Sequence, residues 1–495
     1  MRAVELLQAV RYEPAGEKIR FPDREISGVS IDSRDCREGS VFVCIRGSVC
    51  NGSRYAKEAV RHGAKVLVAA KEEQELIGKI LGQFPECEGV LVEDEREAAA
   101  LLAARYEGEP SRSMTMIGVT GTKGKTTTVS MIRKILSEAG IRTGMIGTTG
   151  QFDGKEHLPS EHTTPDAVTL QRSLARMRKN ACRACVMEVS SQALKLQRTK
   201  GICFDTGVFL NLGDDHIGRF EHADKEEYLA CKRKLFLQSR EAVVNADDPA
   251  WKQMLAGTGC PFQTFGIRNG DFRAVKIRTE SFVQGHPGVE FDIGKVHFQI
   301  PAPGIFTVYN ALAAVRVCMQ YGVTPETAAG SLLDFQVKGR MQFFSIPGGG
   351  EAVIDYAHNA MSLESVLTTL RAYRPARLIT VFGCGGQRAK ERRFQMGEVS
   401  GRLSDLTVIT SDNPRWEAPE AIMDDIETGV RKTDGKYLRI TDRKEAVKQA
   451  VEMAGPGDLV VIAGKGHENT QEIQGVFYRM DEQELVEEAC TQKLL

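Results

Sequence analysis

The chain lacks the features that would place it on nucleic acid, in a membrane or outside the cell. Its 65 Lys and Arg stand against 66 Asp and Glu in 495 residues. That balance gives no electrostatic reason to expect nucleic acid or an anionic membrane as a partner. No apolar run approaches the roughly 18 residues of a spanning helix, so membrane insertion is not expected. Met1–Leu7 carries Glu5 inside its apolar stretch and reads as an amphipathic helix, not a signal peptide. No short-period repeat or low-complexity tract is present. The 12 cysteines form no framework, which points to a reducing cytoplasm. Cys182-Arg183-Ala184-Cys185 is the one close pair, and a zinc site would need a second.

What is present is a soluble globular composition, 42% hydrophobic and 26% charged, in a length that suits about three domains. The organising stretch runs from Met114 to Gly140. Met114–Thr120 reads as a short buried strand, Gly121-Thr122-Lys123-Gly124-Lys125-Thr126-Thr127 as a Gly-rich turn. Val129, Ile132, Ile135 and Leu136 then recur at helical spacing until Gly140. Such a unit cradles phosphate: loop amides and the positive helix end face the anion, Lys125 reaches its outer oxygens, and the Thr126 hydroxyl can hold Mg²⁺. Val119 stands where the general pattern wants Gly, so the match is to a shorter form, Gly-Thr-x-Gly-Lys-Thr. ATP or GTP is the expected ligand.

The rest of the chain alternates short apolar strands with helical stretches. Residues 1–112 read as a small α/β domain, with Gly108-Glu109-Pro110-Ser111 as a linker. Residues 113–338 continue the alternation around the phosphate loop. There the strands run into Glu188-Val189-Ser190-Ser191, Asn211 and Asp214-Asp215-His216, and Asn245-Ala246-Asp247-Asp248. Residues 339–495 read as a doubly wound, Rossmann-like parallel sheet. Its strands end at Asp355-Tyr356-Ala357-His358, Gly383–Gly386, Asp412-Asn413-Pro414-Arg415 and Gly464-Lys465-Gly466-His467-Glu468. Ligands in open α/β sheets sit beyond the carboxyl ends of strands, so the polar ends in the middle block should line one crevice with Lys125.

These motifs, in this order over nearly the whole length, resemble the Mur ligases. The resemblance implies an α/β architecture of three domains: an N-terminal one for a UDP-sugar, a central P-loop ATPase and a C-terminal Rossmann-like one for an incoming amino acid. Gly121 to Thr127 is similar to the family's ATP loop, Asn310 to its adenine contact and Arg340 to a nucleotide contact from the third domain. Ser33, Thr163, Thr164, Ser190 and Arg198 match positions that hold a UDP-N-acetylmuramoyl dipeptide. Glu188 and His216 match magnesium ligands, beside Thr126. Lys232 matches a lysine that these enzymes carry as a carbamate; an unmodified lysine in a basic cluster is the plain alternative. Asp355 and His358 are similar to the family's Asp-Tyr-Ala-His.

Asp412-Asn413-Pro414-Arg415 resembles the signature of members that use meso-2,6-diaminopimelate, with Arg388, Gly464 and Glu468 at the remaining pocket positions. An Arg fork suits the distal carboxylate of that substrate and Glu468 its ammonium. An ordinary turn is the alternative for Asn-Pro. Several positions depart from the family pattern: Gln192, Leu196, Gly218-Arg219, Gln387, Ala389 and Thr470. The expected chemistry is attack of an acceptor carboxylate on ATP, followed by displacement of phosphate by an amine, with Lys125, Glu188, His216 and Lys232 as the catalytic set. The expected protein is a cytoplasmic monomer with ATP and Mg²⁺. The alternatives are a ligase adding L-lysine or another amino acid, and a P-loop switch that has lost the acceptor chemistry.

Overall fold

Runs of β-branched and aliphatic residues, several of them running into Gly, Asn or Asp, set the architecture. The computed structural model describes residues 1–16, 22–47, 50–213, 218 and 222–494. The chain divides into two compact units. One comprises Met1–Arg273 with Tyr309–Thr327, the other Ala274–Val308 with Ala328–Leu495.

The first unit holds two sheets. The N-terminal one orders Glu13–Pro14, Glu88–Val92, Ala64–Ala70, Ser40–Val43 and Gly28–Ser30, parallel except for the short first strand. The larger one places Thr115–Thr120 between Phe204–Phe209 and Ala184–Glu188. Ser239–Asn245 and Phe262–Gly266 extend one side and Thr143–Gly147 the other, all parallel. Strands buried on both faces read as continuous apolar runs, as Cys185-Val186-Met187 and Val243-Val244 do here. Leu170, Leu174 and Met177 from one helix and Leu235 and Phe236 from another fill the core against them.

In the second unit a six-stranded sheet orders Gln342–Ile346, Gly350–Asp355, Leu459–Ala463, Leu378–Phe382, Leu406–Ile409 and Tyr437–Arg439. Five strands are parallel, and the first is an antiparallel edge. The α/β class and the doubly wound sheet expected from sequence are both present. The continued α/β alternation expected up to residue 338 is not. Phe272–Val283, His286–Ile293 and Val296–Ile300 form an antiparallel meander. Gln284 at φ 50° and Gly285 at φ 87° make the first of its tight turns, which match the twist of antiparallel strands and leave no room for a crossover helix.

All 12 cysteines are free thiols, eight of them buried. Among the described residues no helix is long and apolar enough to cross a membrane.

Asp247 shows how a polar strand end is used. Its carboxylate accepts the amides of Ile267 at 2.6 Å, Arg268 at 2.9 Å and Asn269 at 2.7 Å, together with the Tyr309 hydroxyl at 2.9 Å. Partial burial opposes its charge, but these donors outweigh it and hold the carboxyl below its ordinary value. A depressed carboxylate adds stability above its unfolded value, about pH 4, and that stability is lost as pH falls through the folded value. Asp247→Asn should therefore cost about 2 kcal/mol at neutral pH and speed hydrogen exchange at Ile267–Asn269. The difference from wild type should shrink on acidification. Unchanged exchange would show that the turn does not depend on this carboxylate.

Candidate active site

The phosphate loop is built by its neighbours as much as by its own glycines. Gly124 ends it at φ 88°, and an added Cβ there would lie 2.4 Å from Asn310 Oδ1. Only glycine allows both the left-handed turn and that approach. The helix Lys125–Glu138 starts at the next residue, with Thr126 buried and Thr127 half-buried in its first turn. Asn211, at the end of the adjoining strand, clasps the loop. Its Oδ1 accepts the Lys123 amide at 2.9 Å, its amide nitrogen donates to Lys123 O at 3.1 Å, and its carbonyl accepts the Thr122 amide at 3.0 Å. Lys125 Nζ donates to the carbonyls of Gly121 at 2.7 Å and Thr122 at 3.0 Å. Asn310 Oδ1 accepts from Thr128 Oγ1 at 3.3 Å, so this side chain underpins the loop.

Lys232 approaches from the helix Lys225–Leu237. The side chain is 1% exposed, Nζ donates to Gly121 O at 3.0 Å, and it sits 4.5 Å above the Tyr228 ring. Tyr228 OH lies 3.1 Å from Thr122 Oγ1. Helix and loop are therefore tied at two points one turn apart. His216, with Asp214 and Asp215, lies outside the described residues.

A second group of expected residues converges at the next strand end. Glu188 closes the strand beside Val119 and is 1% exposed. Its carboxylate accepts the Thr148 amide at 2.8 Å and the Thr148 hydroxyl at 3.2 Å, while Thr163 Oγ1 lies 3.1 Å from that hydroxyl. Thr164 Oγ1 donates to Glu188 O at 2.8 Å and accepts the Ser190 amide at 3.1 Å. Arg198 donates to Thr164 O at 2.6 Å, and burial pulls its guanidinium below the ordinary value. Ser190 caps the helix Ser191–Lys195 through the Ala193 amide. Ser33 stands apart from this cluster at the end of its own strand. It is buried and donates to Glu58 Oε2 at 3.0 Å, and its carbonyl meets His62 Nδ1 at 2.8 Å.

In the second unit the carboxyl ends of the parallel strands gather the remaining residues. Asp355 is buried and accepts the amides of Met341 and Ala357, both at 2.9 Å; burial raises its carboxyl. Arg340 lies 4.5 Å over the Tyr356 ring, and His358 Nδ1 lies 2.8 Å from Tyr356 O. Asp412 Oδ1 accepts the Asn413 amide at 2.6 Å, and a Cβ added to Gly464 would lie 2.9 Å from Asp412 Oδ2. Arg415 takes the left-handed φ of 54°, a strain that marks a loop held by its surroundings. Its Nη1 donates to Gly386 O at 2.8 Å and its Nε to Glu472 Oε2 at 3.1 Å. A Cβ on Gly385 would meet Arg415 Nη1 at 2.9 Å and the stem of exposed Arg388 at 3.8 Å, and one on Gly386 would strike Pro414 O. The Arg415 guanidinium and the stem of Arg388 thus flank a strip of bare backbone.

The comparisons with known proteins agree on one family. Residues 25–107 match the model of the Mur ligase family, catalytic domain; residues 119–318 match the Mur ligase middle domain; residues 339–466 match the Mur ligase, glutamate ligase domain. The chain is 38% identical to UDP-N-acetylmuramoyl-L-alanyl-D-glutamate–2,6-diaminopimelate ligase 1 of Clostridium acetobutylicum, over 99% of each chain. To the ligase of the same name from Clostridium botulinum it is 36% identical, over 95% of this chain and 96% of the relative. The chain belongs to the Mur ligase family. It is an ATP-dependent ligase that forms amide bonds. A solved structure of UDP-N-acetylmuramoyl-L-alanyl-D-glutamate–2,6-diaminopimelate ligase, 28% identical, covers 100% of both chains with a TM-score of 0.68.

Sequence reasoning passed over several residues that this Mur ligase uses to hold the site. Lys465 is fully buried. Its ammonium donates to Glu468 Oε2 at 2.9 Å and Asn413 Oδ1 at 3.0 Å, while Asn413 Nδ2 donates to the same Glu468 oxygen at 3.0 Å. Burial works against the Glu468 charge, but Lys465 and Asn413 outweigh it and keep the carboxyl below its usual range. The Gly-Lys-Gly-His-Glu run contains Lys465, yet nothing in the run says that the lysine points inward. Behind it Arg443 and Glu482 form a fully buried ion pair. Arg443 also donates to Ser411 O at 3.2 Å and Ala463 O at 2.9 Å, and Glu482 Oε2 accepts the Gly466 amide at 3.0 Å. Burial pushes the Glu482 carboxyl up to about 7. This pair clamps the loops that start at Ser411 and Gly464.

Removing one partner would leave a buried charge uncompensated. Arg443→Met should destabilise the second unit by about 3–5 kcal/mol, and adding Glu482→Leu should restore much of that loss. Chemical denaturation of the two variants measures both quantities. A double variant no more stable than the single one would mean that the hydrogen bonds to Ser411, Ala463 and Gly466, not charge pairing, carry the clamp.

Proposed function

We propose that this ligase joins meso-2,6-diaminopimelate to UDP-N-acetylmuramoyl-L-alanyl-D-glutamate in peptidoglycan precursor synthesis. The names of the two clostridial relatives support that pairing of substrates. The observation that supports the amino-acid assignment is the Arg415 guanidinium beside Gly385, flanked by the stem of Arg388, with Glu468 on the neighbouring strand end. A substrate with a distal carboxylate and a distal ammonium matches that pattern of charge. We assign the UDP-sugar to residues 1–112, ATP to 113–338 and the amino acid to 339–495, in a cytoplasmic monomer.

The mechanism follows from the groups at the strand ends. An acceptor carboxylate oxygen attacks the γ-phosphorus of ATP, ADP leaves, and an acyl phosphate forms. The amine of the incoming amino acid then attacks the acyl carbon, phosphate leaves, and the nitrogen loses its proton to solvent. In this proposal Lys125 turns from the Gly121 and Thr122 carbonyls to the phosphates, where its charge and the loop amides stabilise the developing anion. Thr126 and the buried Glu188 are hard oxygen donors that fit Mg²⁺, with His216 and a carbamylated Lys232 completing the set. The metal neutralises phosphate charge when bound. Arg340 would reach the nucleotide and Asn310 would hold the loop's rear wall. Ser33, Thr163, Thr164, Ser190 and Arg198 would bind the acceptor. Asp355 and His358 would order the start of the third block, and Asp412, Asn413, Pro414, Arg415, Arg388, Gly464 and Glu468 would bind the amino acid.

Phosphate release with ATP, Mg²⁺ and the UDP-dipeptide tests this directly, comparing diaminopimelate, L-lysine and no amino acid. Release with diaminopimelate alone, with a tripeptide product, is expected. Activity with lysine instead would overturn the roles of Arg415 and Arg388, and ATP turnover indifferent to both acceptor and amino acid would favour a nucleotide switch. Lys125→Ala should lower kcat by about 10²-fold or more. Arg415→Lys should raise the KM for diaminopimelate by about tenfold or more while leaving the KM for ATP unchanged, because a lysine cannot make the fork.

A further inference from the structure

A group of side chains outside the proposed reaction has the composition of a soft-metal site. His222, Glu227 and Cys231 bring one imidazole nitrogen, one carboxylate oxygen and one thiol sulfur within 4.8 Å of one another. Glu227 and Cys231 are four residues apart on the helix Lys225–Leu237, the spacing that puts two side chains on one face. His222 comes from the segment just before that helix and is 1% exposed; Cys231 is 4% exposed. His222 Nδ1 lies 3.8 Å from Glu227 Oε2.

The surroundings orient the ring. His222 Nε2 lies 2.9 Å from Ser191 Oγ. A proton on Nε2 toward that hydroxyl puts the lone pair on Nδ1, the nitrogen 3.8 Å from Glu227 Oε2, the outer-shell arrangement that fixes a ligating histidine. The Tyr228 ring, centred 5.1 Å away, walls the other side. Glu227 also accepts the Ala223 amide at 2.7 Å and pairs with Lys195 at 2.8 Å. Both members of that ion pair are about one-third exposed, so it contributes little that a metal would have to displace.

We propose that His222, Glu227 and Cys231 form a zinc site with three protein ligands and water in the fourth position. Nitrogen, oxygen and sulfur donors gathered in one cluster suit Zn²⁺, whereas the sulfur argues against Mg²⁺ or Ca²⁺. A cysteine thiol ordinarily carries its proton at neutral pH. Binding therefore exchanges one proton for the metal: the S–H bond breaks, a Zn–S bond forms, and the proton goes to solvent. The same helix carries Tyr228 and Lys232, whose tips touch Thr122 and Gly121. The metal thus pins the helix that buttresses the phosphate loop.

The test uses the full chain stripped with chelator, titrated with Zn²⁺ against a competing chromophoric chelator, and with Co²⁺ as a spectroscopic substitute. One Zn²⁺ per chain is expected, with a Co²⁺–thiolate charge-transfer band. Cys231→Ser and His222→Gln should each weaken Zn²⁺ binding by about tenfold or more, and Cys231→Ser should abolish the band. Cys203→Ser, which alters an exposed thiol elsewhere, should change neither. Zn²⁺ should raise the thermal midpoint of the wild type and not of the two site variants. Equal affinity in wild type, Cys231→Ser and His222→Gln would overturn the proposal, as would a Co²⁺ spectrum without thiolate character. Should Cys231→Ser fail to fold, His222→Gln and the wild-type Co²⁺ spectrum decide the question alone.

Discussion

Parallel strands end together, and at that edge the backbone groups have no neighbouring strand to complete them. Water, a ligand or a side chain must do so. In both units this ligase answers that constraint with polar side chains delivered from the next strand or helix. Asn211 completes Thr122 and Lys123, Asn245 donates to Leu210 O at 2.9 Å, and Asp248 accepts the Leu212 amide at 2.9 Å. Arg443 completes Ser411 and Ala463, and Asp355 takes two amides of its own neighbourhood. The side chains that repair the sheet edge are also the ones that shape it. A loop held at three atoms by Asn211 presents its remaining amides in one fixed direction, which is what a phosphate site needs before any phosphate arrives.

The same constraint explains what the sequence revealed and what it concealed. An apolar run that stops at Gly or a polar residue announces a parallel strand end, so the strands closing at Thr120, Glu188, Asp355 and Ala463 were legible, as were the α/β class and the doubly wound sheet. The meander of residues 272–300 was misread because its solvent-facing positions alternate with buried ones only irregularly, and its first turn is Gln284-Gly285 instead of the strongly marked Asn-Gly. Side-chain direction at a strand end is invisible in a run of letters. Asp247 and Asp248 look alike in sequence, yet one ties residues 267–269 and the other ties Leu212. The burial of Lys465 and Glu482 was not legible, because it depends on partners far away in sequence: Asn413 is 52 residues from Lys465, and Arg443 is 39 residues from Glu482.

Charge compensation is the common theme of the proposed substrate sites. Lys232 rests against a carbonyl and an aromatic face, and Lys465 rests against a carboxylate and an amide. Buried ammonium groups are costly unless paired, and each of these is held by atoms of a nearby loop. The consequence is rigidity at two points where ligand charge would arrive. At the phosphate loop Lys125 and Lys232 bring two ammonium groups against the loop carbonyls. At the strand ends of the second unit Lys465 pairs with Glu468 and Arg415 with Glu472, while the stem of exposed Arg388 lies beside Gly385.

That difference bears on how one diamino acid would be told from another. Selectivity for a carboxylate arises less from the attraction it gains than from what its absence leaves behind. An Arg fork that has lost water and found no anion is destabilised. Arg415 spends Nε on Glu472 and one Nη1 proton on Gly386 O, which sets its guanidinium plane beside Gly385; in the proposed complex its remaining edge would take the distal carboxylate. Lysine, with an ammonium and no distal carboxylate, would satisfy Glu468 and leave that edge unpaired. Diaminopimelate would satisfy both. Discrimination of this kind needs no clash and no extra volume; it follows from fixing the fork before the substrate binds, which Glu472 and the left-handed turn at Arg415 do together.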